Sequence, residues 1–209
     1  MKTSQTFAAI VALTVLIFAA AGTASAASPF KKVSGGTLHV SSGVIFPARV
    51  GAFRFEQTKI YGSDRDVGVE YDVVPLIRGD VYVYPLGTYA KDFNGEARVQ
   101  QNAINKLYKG VKLVTRSRAQ LNQSGRNLTG FRAQYELMRL LSGNKARRCG
   151  SLFYLFRDGR WLVAYRFSYP IEQSDAANKH IAGFMRLWQW RAQGNVVRLN
   201  PALAYASRG

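Results

Sequence analysis

Cysteine is almost missing from this chain, and its scarcity limits the chemistry that the chain can perform. Cys149 is the only one, so an intrachain disulfide and a structural zinc site built on cysteines are both excluded. Cys149 follows Arg147 and Arg148, and neighbouring cations lower the pKa of a thiol. It is therefore a candidate reactive thiol, although a buried, inert role is the commoner use of a single cysteine.

Acidic residues are also few. Twelve Asp and Glu stand against 29 Lys and Arg, which gives the 209-residue chain a formal charge of +17. Such an excess attracts anionic partners, and we expect an anionic lipid, an envelope polymer or an acidic protein. Charge alone does not identify a specific small molecule.

Motifs of known catalytic chemistry are absent as well. The two histidines, His39 and His180, do not belong to an HExxH metal spacing. A GxSxG nucleophile elbow, a phosphate-binding loop and a GxGxxG fingerprint are also missing. We therefore predict a non-enzymatic protein with no catalytic residue, no metal site and no cofactor. A hydrolase-type enzyme whose residues form no recognisable motif remains the alternative.

The long apolar run of this chain lies at the N-terminus, where residues 1–26 have the pattern of a secretory signal peptide. Lys2 precedes an apolar run from Phe7 to Gly22, and Ala24-Ser25-Ala26 offers a cleavage site. The run is shorter than the ~20 apolar residues that span a bilayer. Cleavage and a periplasmic or secreted location are therefore predicted, with an uncleaved anchor in the inner membrane as the alternative.

Composition divides the rest of the chain into three parts. Residues 27–43 are rich in Ser and Gly and predict a flexible leader, in which Leu38–Val40 is a candidate edge strand. Residues 44–192 are predicted to form a single α+β domain. Residues 193–209 show no clear periodicity and are assigned to a C-terminal tail.

The stretch Leu152–Tyr169 is the most strongly β-prone part of the domain. Two apolar runs flank Asp158-Gly159, a dipeptide that suits a two-residue hairpin turn and would pair Arg157 with Arg160. Both sides of the resulting ribbon are apolar. Such a ribbon belongs inside a sheet that is covered on two faces.

The remaining patterns predict the material around this ribbon. Alternation predicts strands within Phe53–Tyr61, Val67–Val73 and Val81–Tyr84. Helical spacing predicts one helix capped by Asp92 or Asn94 and a second from Ser174 to Trp190. The predicted fold class is therefore α+β, an antiparallel sheet of about six strands with a helix on each face.

A second hairpin, around Gln123-Ser124-Gly125, carries the candidate binding residues. Its alternation places Arg116, Arg118 and Arg132 on one face, opposite a row of apolar side chains. Because guanidinium groups bind phosphates and carboxylates bidentately, these arginines are candidate anion-binding residues. The alternative is a solvated sheet face that Glu136 partly neutralises.

The order of these elements resembles a known architecture. With FPARVGAF at its start and FRDGRWLVAYRFSYP before the last helix, residues 44–192 resemble a group of uncharacterised bacterial exported proteins with a PsbP-like α/β/α sandwich. The resemblance implies the sandwich of extrinsic photosystem subunits and small envelope proteins, which mostly act as binding or assembly modules. It carries over no site residue, because no site motif matches, and fold does not fix function.

These observations together predict a non-enzymatic envelope protein that binds an anionic partner or a protein complex. A nucleic-acid-binding protein is a further alternative that the charge and the 12% aromatic content permit. Nucleic acid is nevertheless not the expected partner, because a secretory signal takes the chain to a compartment where nucleic acid is not the usual ligand.

Overall fold

The computed structural model describes residues 28–73, 77–141 and 145–190. The predicted signal peptide (1–26) and the predicted C-terminal tail (193–209) lie outside these ranges. Within them, no helix is long and apolar enough to cross a membrane.

Strands dominate the described residues. They are β1 (Phe30–Val33), β2 (Gly36–His39), β3 (Ile45–Pro47), β4 (Arg49–Val50), β5 (Phe53–Tyr61), β6 (Ser63–Val73), β7 (Ile77–Pro85), β8 (Lys109–Gln123), β9 (Arg126–Arg139), β10 (Arg147–Asp158) and β11 (Trp161–Pro170). The helices are α1 (Phe93–Leu107) and α2 (Ser174–Leu187), the second preceded by a 3-10 turn at Ile171–Gln173. Eight strands form one sheet in the order β4-β5-β6-β7-β11-β10-β9-β8, and β1, β2 and β3 form a second, three-stranded sheet.

The hairpin of β10 and β11 is an inner part of the larger sheet, as its two apolar sides predict. Its turn lies one residue later than predicted, because Asp158 pairs with Trp161. Gly159 therefore opens the two-residue turn, at a φ of 60° that glycine adopts without strain. Each residue of β10 therefore pairs with a residue of β11 two positions further along the chain than predicted. Because side chains alternate with a period of two, every side chain stays on its predicted face.

The larger sheet packs apolar side chains on both faces. On one face, Val163 and Tyr165 of β11 pack with Ile181 and Phe184 of α2. The three-stranded sheet contributes Phe46 to the same cluster, so this face is covered by a helix and a sheet together.

The opposite face has a smaller core. Leu162 and Ala164 of β11 pack there with Ala97 and Ile104 of α1. A single helix does not cover the whole width of eight strands, so a depression remains on each flank of α1.

The predicted fold class is wrong. The main sheet has eight strands rather than about six, a second sheet of three strands is present, and the described residues contain only two α-helices. The described part of the chain is therefore mainly β. Its main sheet is not the predicted six-stranded sheet with one helix on each face. The prediction missed short strands such as β4, because two or three residues show no alternation that a sequence pattern can detect.

Residues 28–43 do not form the flexible leader that their composition predicts. β1 pairs with β2 along its whole length, and β2 pairs with β3. A β-carbon on Gly36 would lie 2.4 Å from the carbonyl oxygen of Phe46, so glycine permits this close pairing. The composition of this segment predicts flexibility, but its Gly36 instead allows two paired backbones to lie close together.

His39, at the end of β2, joins the small sheet to the large one. It is fully buried, with Nδ1 2.7 Å from the Ser42 hydroxyl and Nε2 2.8 Å from the carbonyl oxygen of Asp64. Because a carbonyl can only accept, Nε2 carries the proton and Nδ1 accepts from Ser42. This arrangement suits the neutral ring.

The burial of His39 predicts a dependence of stability on pH. Burial lowers the pKa of His39 below its ordinary value of 6.5, against the raising effect of its hydrogen bond to Asp64. As the pH falls through 6.5, His39 binds a proton in the unfolded chain but remains neutral in the folded chain. The free energy of unfolding should therefore fall. Stability is retained above that pH.

Urea unfolding between about pH 7.5 and 5.5 measures this slope. His39→Gln should flatten it, whereas His180→Gln should retain it, because His180 lies exposed on α2. Equal slopes in the wild type and His39→Gln would show that His39 does not titrate as its burial requires.

Candidate anion-binding groove

Two carboxylates fix the start of α1. Asp92, one of the two predicted caps, accepts a hydrogen bond from the backbone N–H of Gly95 at 2.7 Å. The buried Oε1 of Glu96 accepts three backbone N–H groups from residues 87–90, each at 3.1 Å. These hydrogen bonds fix the first turn of α1. They thereby also fix the direction in which the side chain of Arg98 leaves the helix.

β8 and β9 form a long hairpin at one edge of the larger sheet. Ser124 and Gly125 have positive φ values of 51° and 84°, which is the pattern of a type I′ turn at the predicted position. β8 is the last strand of the sheet, and residues 112–118 are all exposed.

The two-residue turn at Ser124-Gly125 decides which way the arginines of β8 point. A bulge at Val114 shifts the pairing only beyond them, towards the start of β8. From the turn back to Thr115 the two strands pair without a shift, so Arg116 lies opposite Ala133 and shares its face of the sheet. That is the face on which α1 packs.

Arg132 lies on the other face. It pairs with Ser117 of β8, so it shares neither the face of Arg116 nor that of Arg118. Its Nε donates to the Tyr154 hydroxyl at 3.3 Å, and its guanidinium lies over the ring of Tyr154. The structure therefore brings together two of the three predicted arginines and separates the third.

Arg116 and Arg118 meet α1 across an open groove of about 520 Å³. The side of α1 that lines the groove carries Arg98, with Asn94 and Gln101 one turn to either side. Arg98 was not among the predicted site residues. Its spacing from Asn94 and Gln101 places the three on one helix stripe, but no pattern in the sequence connects that stripe with β8.

The groove is strongly basic. Its lining contains three arginines and no carboxylate, and Arg98, Arg116 and Arg118 form no ion pair within the described residues. The paired carboxylates lie elsewhere: Glu70 with Lys59, Asp72 with Arg78, Asp158 with Arg126, Asp80 with Arg139 and Arg166, and Glu136 with Arg148. The three arginines therefore repel one another, and an external anion bound in the groove would offset this repulsion.

Cys149 lies away from this groove and is fully buried at the start of β10. Burial raises the pKa of its thiol, and the interaction with the backbone of Arg139 together with the charges of Arg139 and Arg147 opposes that shift without reversing it. The direction is opposite to the one that the adjacent arginines predict. A neutral, enclosed thiol is the slowly reacting form.

The described ranges hold no group of three His, Cys, Asp or Glu side chains that could bind a metal ion. In the groove, arginine, asparagine and glutamine side chains supply hydrogen-bond donors for an anion, and none of these supplies a general base at neutral pH.

No family model matches the chain, and no curated protein matches it. The solved structures that are similar to this chain include two with 10–11% identity. One is PA94, a protein of unknown function from Pseudomonas aeruginosa, with a TM-score of 0.45, 11% identity and coverage of 78% of this chain and 97% of that one. The other is the cyanobacterial PsbP, CyanoP, from Synechocystis, with a TM-score of 0.46, 10% identity and coverage of 73% and 87%. A PsbP-type protein is thus among the structural neighbours, and neither likeness assigns a family or a function.

Proposed function

We propose that this protein is a non-enzymatic, exported binding module that holds a phosphate-bearing polyanion in the groove between α1 and β8. One observation carries the proposal: Arg98, Arg116 and Arg118 converge there without a carboxylate among the lining residues. Arginine suits phosphate because its planar group donates two parallel hydrogen bonds. Export rests on the signal-peptide pattern of residues 1–26.

The openness of the site supports an extended partner. β8 is an edge strand, so the groove continues along exposed residues rather than closing around a small molecule. An anionic lipid surface and a phosphate-bearing envelope polymer offer the same chemistry to the three arginines. An acidic protein would offer carboxylates instead.

Removal of two groove arginines tests the proposal. The double variant Arg116→Ala/Arg118→Ala should bind polyphosphate at least about tenfold more weakly, because charge-assisted hydrogen bonds are lost. The matched control is Arg54→Ala/Arg65→Ala, which removes the same charge from exposed positions outside the groove. Its affinity should stay close to that of the wild type.

Equal losses in the two double variants would contradict the proposal, since they would indicate binding to net charge alone. Vesicles of phosphatidylglycerol, compared with vesicles of phosphatidylcholine, distinguish a lipid source from a soluble polymer. Charged residues on an edge strand also prevent pairing between sheets, so both variants should be checked for monodispersity. Aggregation of the groove variant with unchanged affinity would assign the arginines to that protective role.

A further inference from the structure

A second depression lies on the other flank of α1, between this helix and β6, β7 and β11. It encloses about 260 Å³ and shares no lining residue with the groove. α1 lines it with Val99, Ala103 and Leu107, which are four residues apart and form one stripe of the helix. The two depressions are therefore separate sites on opposite sides of α1.

Four tyrosines line the cavity: Tyr61, Tyr82, Tyr84 and Tyr89. The rings of Tyr61 and Tyr82 lie 5.7 Å apart, and those of Tyr84 and Tyr89 lie 5.3 Å apart edge to face. Tyr89 is 45% exposed and Leu107 66%, so the cavity presents apolar surface to solvent. Such walls favour a flat ring, which can stack on them or meet them edge to face.

Arg166 is the cation that lines the cavity. It is the only charged residue of β11, and its side chain is 15% exposed. One of its terminal nitrogens donates to the Tyr82 hydroxyl. Its Nε is buried without a hydrogen-bond partner within the described residues, since the nearest carboxylate oxygen, on Asp80, lies 3.9 Å away.

The charge of Arg166 is only partly neutralised. The same oxygen of Asp80 also faces Arg139, whose side chain is 11% exposed, at 3.5 Å. The guanidinium groups of Arg139 and Arg166 lie 5.5 and 5.6 Å from the ring centre of Tyr108. Two largely buried cations thus share one carboxylate, and an unpaired buried charge is costly.

Asp66, the carboxylate of the cavity lining, does not supply the missing charge. It forms no ion pair with Arg166 and accepts a hydrogen bond from the Tyr89 hydroxyl instead. Burial raises the pKa of Asp66, against the lowering effect of that hydrogen bond. Asp80, which Arg166 shares with Arg139, is therefore the carboxylate that pairs with Arg166 in the part of the chain that the structure describes.

We propose that this cavity binds a small, flat aromatic carboxylate, with its ring among the tyrosines and its carboxylate on Arg166. A carboxylate supplies the anion that two arginines sharing Asp80 lack, and it accepts from a guanidinium in two parallel hydrogen bonds. A ring without charge leaves Arg166 undercompensated. A cationic ring meets repulsion from it.

NMR titration of the full chain tests the ligand class, with 4-hydroxybenzoate as the probe. Its addition should shift the Nε–H resonance of Arg166, and it should bind at least about tenfold more tightly than 4-hydroxybenzamide, which has the same ring without the charge. Phenyltrimethylammonium is the third arm. Preferential binding of this cation, or equal binding of the acid and the amide, would overturn the proposal.

Three variants test the place of binding. Ala103→Leu fills the cavity from α1 and should weaken binding of 4-hydroxybenzoate at least about tenfold, whereas Asn102→Leu on the exposed side of the same helix should not. Tyr89→Ala removes a partly exposed wall residue, and it should also weaken binding if Ala103→Leu fails to fold. Unchanged affinity in Tyr89→Ala and in folded Ala103→Leu would place any binding elsewhere and overturn the proposal.

Discussion

Phe184→Ala is expected to lower the free energy of unfolding by about 3–5 kcal/mol, the usual range for a buried phenylalanine. Phe184 is fully buried and joins α2 to the larger sheet. Its ring centre lies 4.9 Å from that of Phe53, 5.4 Å from Phe167 and 5.6 Å from Trp188, with near-perpendicular ring planes. Truncation therefore removes several edge-to-face contacts and leaves a cavity that rigid neighbouring rings cannot fill.

Urea unfolding measures this loss, with two variants as references. Phe184→Leu retains much of the apolar volume and should cost clearly less than the alanine variant. Lys179→Ala, on the exposed side of the same helix, should change the free energy of unfolding by no more than about 0.5 kcal/mol. A loss in Phe184→Ala no larger than that of Lys179→Ala would show that α2 does not stabilise the sheet through this ring.

Gly130→Ala is expected to destabilise the protein by about 3 kcal/mol, at the upper end of ordinary overpacking. A β-carbon at Gly130 would lie 2.4 Å from the carbonyl oxygen of Leu155 and 2.4 Å from Cδ1 of Phe156. The first of these atoms belongs to the backbone of β10, which is paired on both sides. Relief of the clash therefore requires movement of a strand rather than of a side chain.

The same substitution elsewhere provides the control. Gly183 lies within α2, and a β-carbon there would meet nothing within 4 Å. Gly183→Ala should therefore raise the free energy of unfolding, by roughly 0.5–1 kcal/mol, because alanine loses less conformational freedom in a helix. Opposite signs in the two glycine variants are expected, and a stable Gly130→Ala would contradict the close approach of β9 and β10.

Local pattern was sufficient for the central hairpin. The runs on either side of Asp158-Gly159 are apolar throughout and pair without a bulge, so the residues of each face could be predicted. A turn shifted by one residue did not change the faces. The cap at Asp92 was predictable for the same reason, since it depends on contacts within one turn.

Local pattern failed where the register of a hairpin depends on the exact length of its turn. A three-residue turn at Gln123-Ser124-Gly125 would pair Arg116 with Arg132 and place Arg116, Arg118 and Arg132 on one face, as predicted. The turn has two residues, so Ser117 pairs with Arg132 and the other two arginines lie on the opposite face. Alternation within each strand is the same in both registers, so it could not decide between them.

The sequence by itself determined the strongly basic character, the inner position of the Leu152–Tyr169 ribbon and the start of α1, because each depends on composition or on contacts between near neighbours. Only the tertiary structure decided that α1 lies between a basic groove and a tyrosine-lined cavity. Both sites are formed by α1 together with strands that are distant from it in the sequence. Contacts between such distant elements depend on how the whole sheet assembles rather than on any local propensity.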